Sequence, residues 1–400
     1  MSTTNTHVLI AGAGPVGLVS ALILASEGVR VTIVEAAADL NHDLRASTFH
    51  PPTLDMLARY GLTEHLIEQG LVARFTQQRD RADGVIAEFD MELLTGETQH
   101  PFRLQCEQWK LTEQIKSRLD AMPHVTLLMS TPLQSLEHLP AGARATVLIG
   151  GEPQVIEADY VIGADGARSA VRKSLHIAFE GYTYPERFLV ISTDFPFEQH
   201  MPQLSWVNYC SDPEQWCVML KVPSLWRILV PTNLEMTDEE CLSEPNAEKE
   251  LQHLLPKDTP YTTFHRSLYK VHQRVAAKFR DRRVFLAGDA AHINNPLGGM
   301  GMNGGVHDAM NLCGKLLAVI EGRADESVLD RYERQRRSIA IEYINASTAR
   351  NKKEMEERDP AVRQRTQDEL RATANDPARA RAYLRKTSML DALERAEAIA

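Results

Sequence analysis

Cysteine is scarce in this chain and never paired. Five thiols (Cys106, Cys210, Cys217, Cys241 and Cys313) stand among 400 residues, with no CxxC. An odd count without close pairs argues against a disulfide framework, a zinc ribbon or a redox dithiol, and fits reduced thiols in a cytoplasmic protein. Basic excess is absent too. Lys and Arg number 44 against 54 Asp and Glu, a net charge of −10, so nucleic acid is not an expected partner. Long hydrophobic runs are missing: the opening MSTTNTHVLIAGAG has no basic lead-in, and its apolar stretch is a few residues long. Neither a signal peptide nor a membrane span is expected. No repeat of fixed period stands out. No histidine or carboxylate set at metal spacing occurs, so no metal is expected.

The remainder is ordinary globular composition, 43% hydrophobic and 24% charged, at a length suited to two or three domains. His7 to Ala11, HVLIA, is a short apolar run of the kind that forms a buried parallel strand. It runs into GAGPVG, with Gly12, Gly14 and Gly17 in GxGxxG spacing, then a helical stretch ending at Gly28, then VRVTIVE ending at Glu35. Gly12 permits a tight turn, Gly14 lets backbone approach a pyrophosphate, and Gly17 lets the helix sit close to the strand. The helix start offers N–H groups and a positive dipole end to phosphate. Glu35 is placed to accept from a ribose diol. NAD and the adenosine half of FAD fit this unit equally well.

Two further glycine turns follow. In ADYVIGADGARSAVR (158–172) an apolar run leads to a sharp turn and a helix start near Ser169. In GDAAHINNPLGGMGMNGGVHDAMNL (288–312) six glycines fall within 25 residues. Pro296 and the Gly298-Gly299 pair make its first half a loop. From about Met302 or Asn303 a helical period sets in, with Val306, Met310, Cys313 and Leu317 on one face. A loop feeding a helix start points free N–H groups at whatever lies over it.

Together these motifs resemble the FAD-dependent aromatic hydroxylases, the single-component (class A) flavoprotein monooxygenases of the 4-hydroxybenzoate hydroxylase type. The three occur in that family's order and spacing, and VLDRYERQRR (328–337) matches its next segment. The resemblance implies an α/β fold: a Rossmann-like FAD-binding domain with an inserted, mainly antiparallel β-sheet substrate domain and a C-terminal helical tail. The expected FAD-binding domain is discontinuous, 1–72, 100–178 and 268–345. The substrate domain is 73–99 and 179–267, and 346–400 is a helical segment. RFLVISTDF, QLSWVNYCS, EQWCVMLKV and LWRILVPT read as four of its strands, joined by a hairpin around ARFTQQRDRADGVIAEFDMEL. Longer members carry a thioredoxin-like C-terminal domain, which is not expected here.

The resemblance also implies residue roles. Gly12, Gly14, Gly17 and Glu35 hold the FAD dinucleotide. Arg45 and Gln108 lie near the flavin, and Asp165 and Gly166 border both FAD and the nicotinamide. Asp289 bonds the ribityl chain, and Pro296 packs by the ring. Gly298 to Gly301, Gly299 and Gly301 among them as cofactor-binding residues, give the ring and substrate room. The backbone of Met302 and Asn303 faces it. Arg172 and His292 recur in the motifs as structural residues. NADH or NADPH serves as transient reductant, and dioxygen forms a flavin C4a-hydroperoxide that hydroxylates a small phenolic or heteroaromatic substrate.

No second GxGxxG follows a strand, so no separate NAD(P)H domain is expected. Candidate substrate residues are Thr48, Trp206, Asn208, Tyr209, Trp216, Met219, Arg227 and Pro296; each strand position among them is equally open to core packing. A base near a phenol would be His50, Tyr209 or His265. An epoxidase, a reductase or a Baeyer–Villiger-type enzyme would keep the fold, and a flavin-binding scaffold would keep only the cofactor. The charge-dense tail from about Asn351 reads as a solvated helical pair broken at Asp359-Pro360 and Asp376-Pro377, with a subunit contact, and so a homodimer, as the alternative.

Overall fold

A computed structural model describes residues 5–43 and 46–400; Arg45 lies outside the described residues. The fold is α/β. A six-stranded sheet runs in the order Arg280–Asp281, Val284–Leu286, Tyr160–Gly163, His7–Ala11, Arg30–Val34, Val125–Leu128. All neighbours are parallel except the first pair. Central strands such as HVLIA and YVIG are buried along their whole length, as a sheet covered on both faces requires. The helix Pro15–Ser26 starts on a proline, whose missing N–H costs nothing in the first turn, and stops before Gly28 at φ +79°. It packs against the long helix Met300–Ile320.

The second body is an eight-stranded sheet. Its order is His292–Ile293, Thr263–Ala276, Phe179–Thr193, Trp226–Pro231, Cys217–Lys221, Val207–Ser211, Phe75–Asp80, Gly84–Asp90. The hairpin and the four expected strands all lie in it. Alternation gives it two different faces. One packs Leu189, Ile191, Met219, Trp226 and Ile228 under Ala247 and Leu251 of the helix Glu244–Leu254. The other turns Phe188, Val207, Tyr209, Trp216 and Val218 toward Leu297 and Met355. A small sheet of Thr48–Phe49, Arg103–Gln105 and Leu71–Ala73 stands against this second face.

The tail is helical, but it is not a solvated pair. Helices Ala346–Met355, Pro360–Ala374, Pro377–Thr387 and Leu390–Glu397 dock on the body. Ala380 and Leu384 bury against Phe89, Met91 and Leu94, and the Tyr383 ring stacks on Phe89 at 4.2 Å. Met389, Ala392 and Ala396 bury against Ile339 and Ile344. A charge-dense sequence hides such docking because one apolar residue per turn, at i and i+4, suffices to build the contact. The breaks fall where expected: Asp359 and Asp376 accept from the first N–H groups of the helices that follow them. Among the described residues no helix is long and apolar enough to cross a membrane.

Candidate functional site

The three glycine motifs meet at one edge. Each follows one of three adjacent parallel strands, with Ala11 beside Gly163 and Gly163 beside Leu286. The carboxyl ends of parallel strands are where open α/β sheets bind ligands. In the first turn Gly12 has φ +103°, and a Cβ there would stand 2.4 Å from the Ala164 carbonyl oxygen. A Cβ on Gly17 would stand 1.9 Å from the Gly12 carbonyl oxygen, whereas one on Gly14 meets no atom within 4 Å. The middle glycine is thus the open approach. The helix Pro15–Ser26 has no side-chain cap and no acidic residue in its first turn, so its leading N–H groups suit an anion. Glu35 accepts from Ala13 N–H at 2.7 Å and from Ala37 N–H at 2.9 Å, which ties the second strand's end to the glycine turn.

At the second motif the Asp165 Oδ2 accepts from the N–H groups of Ala170 and Val171, while Oδ1 is buried without a partner. Burial pushes this carboxyl above the usual range, against the hydrogen bonds it accepts. Arg172 gives N–H groups to the carbonyls of Ala290 and Ala167 and lies 3.8 Å from the Phe179 ring centroid.

The third motif is a loop with a helix start. Gly299 adopts φ +67° as the residue before the helix, which therefore begins at Met300, two residues earlier than its periodicity suggests. Neither a side-chain cap nor an acidic residue occupies that first turn. A Cβ on Gly299 would approach Thr48 Cβ to 3.2 Å and His50 Nε2 to 3.6 Å, so the loop lies on the small sheet. Asn303 stitches the contact: its amide donates to the carbonyls of Thr48 and Gly299 and accepts from His50 N–H. Pro296 and Asp289 are exposed, and Gly301, Met302 and Gln108 are half-buried. Gln108 opens the helix Gln108–Leu119.

Behind this loop lies a hub that sequence reasoning missed. Asp308 Oδ2 accepts from Gly288 N–H and from His292 Nε2; its Oδ1 accepts from Arg336 Nε at 2.6 Å. Burial alone would raise this carboxyl, but His292 and the Arg336 guanidinium together hold it down to about 2. Tyr332 donates to the Leu286 carbonyl. The segment 328–337 therefore clamps the third motif from behind. Asp308 and Arg336 come together only in the fold, and the one local hint was His292.

Between the small sheet and the large one runs a seam of buried polar groups. His50 Nε2 is 2.8 Å from the Gly298 carbonyl, which can only accept, so Nε2 carries the proton and Nδ1 keeps its lone pair. Nδ1 has no hydrogen-bond partner. Burial first, and Arg103 second, hold the His50 pKa well below 6.5, so the ring is neutral. Thr48 donates to Gln105 Oε1, and Arg227 donates to Ser47 Oγ. Arg103 Nη1 donates to the Tyr209 hydroxyl at 3.0 Å.

Register sorts the remaining candidates. His265, Ser192 and Arg227 form one cross-strand row on the seam face; Tyr209 lies in the next row, opposite Val218. Trp216 packs on Phe188 on the same face. Asn208 and Met219 are fully buried and face the other way. Met219 sits in the core under the helix Glu244–Leu254, and the Asn208 amide donates to the Ser205 carbonyl. Trp206 packs at the rim of both clusters. Arg103 and Gln105 were missed, although RLQ alternates two polar residues around one leucine, the pattern of a strand with a polar face.

Comparison with known proteins gives a consistent answer. A family model described as "FAD binding domain" matches residues 5–347. Para-nitrophenol 4-monooxygenase from Pseudomonas sp. (strain WBC-3) is 32% identical over 384 residues, 95% of each chain. The 6-hydroxy-3-succinoylpyridine 3-monooxygenase HspB from Pseudomonas putida (strain DSM 28022 / S16) is 33% identical, covering 86% of this chain and 88% of that one. The crystal structure of p-nitrophenol 4-monooxygenase PnpA from Pseudomonas putida DLL-E4 superposes with a TM-score of 0.91 at 31% identity, over 99% of both chains.

Proposed function

The chain belongs to the FAD-binding aromatic hydroxylase family of monooxygenases, and on that premise we propose that it hydroxylates a small phenolic ring with dioxygen and NADH or NADPH. The observation that carries the reading is the convergence of three glycine turns at one sheet edge, with an open middle glycine and two uncapped helix starts. That edge fits FAD. Gly12, Gly14 and Gly17 would admit its pyrophosphate, Glu35 would meet its ribose and Asp289 its ribityl chain, and Gln108 and the Asp165 carboxylate would border it. FAD held there would supply the redox chemistry that links the nicotinamide to dioxygen.

The chain's own groups do the rest. The open N–H groups in the first turn of the helix Met300–Ile320, Met302 among them, would face the flavin ring and would favour negative charge there by up to about 2 kcal/mol, with Asn303 holding that turn in place. The seam between the two sheets takes the phenol, with Thr48, Tyr209, Trp216 and Pro296 around it; closure there excludes water. Of the candidate bases, His50 has a neutral ring, a tautomer fixed by the Gly298 carbonyl and an unspent Nδ1 lone pair, so it can accept a hydrogen bond from a neutral phenol; the phenolate is the better nucleophile. Asn208 and Met219 are assigned to packing, and His265 to the seam-face row it shares with Ser192 and Arg227.

The phenolic substrate class rests on the names of the relatives, two of which are nitrophenol monooxygenases. The reaction belongs in the cytoplasm, where its five buried thiols stay reduced; a homodimer is compatible with it. The test is product analysis with 4-nitrophenol, NADH or NADPH and isotopically labelled dioxygen. The expected result is one labelled oxygen on the ring. Consumption of reductant with only hydrogen peroxide formed would contradict it.

A further inference from the structure

Arg103 is buried to 3% exposure, and among the described residues no carboxylate pairs with it. A buried charge is normally paired, because burial otherwise favours its neutral form, and arginine does not deprotonate. Arg172 also lacks a carboxylate, but it spends its donors on two carbonyls and stacks on a phenyl ring. Arg103 is different. It makes one bond to the Tyr209 hydroxyl and a long one, 3.3 Å, to the Thr387 carbonyl; its Nε is buried without a partner. It rises from the small sheet and reaches Tyr209 on the seam face of the large one. No described residue accepts the Tyr209 hydroxyl proton.

We propose that Arg103, acting directly and through the Tyr209 hydroxyl it polarises, is the counter-charge that makes this site select the anionic, phenolate form of its substrate. The inference rests on the phenolic reading above and names the residue that sets the ionic state. The groups facing Arg103 allow it. His50 is neutral, and so neither repels nor competes. Tyr383, partly buried beside it, is pushed up to about 12 first by burial and stays protonated. Glu354, the carboxylate near Tyr383, sits 3.9 Å from Arg350. A phenolate oxygen would accept the Tyr209 O–H and an Arg103 N–H, bonds stronger to a charged acceptor than to a neutral one.

The test uses the FAD-loaded protein in its oxidised form and two probes: 4-nitrophenol, whose phenolate colour reports its ionisation when bound, and 4-nitroanisole, which cannot ionise. Wild type is expected to bind nitrophenol as the phenolate, with its pKa lowered on the protein. Arg103→Met should weaken phenolate binding about ten- to hundred-fold and raise the bound pKa, with little change for nitroanisole; Arg103→Lys should restore part of both. Tyr209→Phe should raise the bound pKa as well, which keeps the test sound if Arg103→Met fails to retain its flavin colour. Phenol bound with the same pKa in wild type and variants would overturn the role of Arg103 alone. No phenol binding to wild type would overturn the phenolic reading, and this role with it.

Discussion

Arg336 and Arg103 are both buried, and the fold treats them in opposite ways. Arg336 meets Asp308 at 2.6 Å and the Gly304 carbonyl, while Asp308 in turn holds His292 and the Gly288 N–H. Both oxygens of the hub's carboxylate are taken up there, and among its polar atoms His292 Nδ1 is left without a partner. Along the seam, His50 Nδ1, Arg103 Nε, Gln105 Nε2 and Ser192 Oγ are buried without partners. Each such atom costs about 1–3 kcal/mol if nothing meets it. A fold that gives one buried arginine a carboxylate and leaves another without one is using the first for stability and keeping the second for a ligand.

Breaking the closed side should have the largest effect. Asp308→Ala leaves the Arg336 guanidinium and His292 without their carboxylate. It is expected to cost about 3–5 kcal/mol, read as a fall in the urea midpoint at unchanged slope. A loss below about 1 kcal/mol would mean that the hub is not what holds the third motif. Leu384→Ala tests whether the tail belongs to the body. Leu384 is fully buried, and the expected cost is about 2–5 kcal/mol; no change would return the tail to solvent.

Acid should act on both sides. His307 is held down to about 3 by burial and then by Arg336, and His50 is lowered in the same sense. The unfolded chain takes up those protons near pH 6.5, the folded one much later. Stability is therefore full above about pH 6.5 and falls as pH drops, by at most about 1.4 kcal/mol per pH unit and group. Asp308, depressed to about 2, adds its own loss below about pH 4. Urea midpoints at a series of pH values, repeated with His307→Asn, check the share of that residue. The smallest effect belongs to the seam: Ser192→Ala removes a hydroxyl without a partner and should change stability by less than about 1 kcal/mol. A large destabilisation would show that the hydroxyl serves the fold.

Much of this was legible in the sequence, and the divide is physical. The dinucleotide turn could be read because its strand, glycines, helix and acidic residue lie within one local unit, and each glycine answers a local steric demand. The strands of the large sheet announced themselves by composition. What they face did not: Asn208 and Tyr209 are neighbours in sequence and point to opposite faces, and only the register tells which face meets the loop. Asp308 with Arg336, and Arg103 with Tyr209, are pairings across the fold that no spacing rule reaches. The docked tail was missed because its few apolar contacts are diluted by exposed charge.

The most direct trial of the account is anaerobic mixing of the FAD-loaded protein with NADH, then NADPH, with and without 4-nitrophenol, while the flavin absorbance is followed. The account predicts that one nucleotide bleaches the flavin and that the phenol accelerates the bleaching many-fold. Bleaching indifferent to the phenol, or none with either nucleotide, would contradict the claim that the seam is built to receive a phenolic ring.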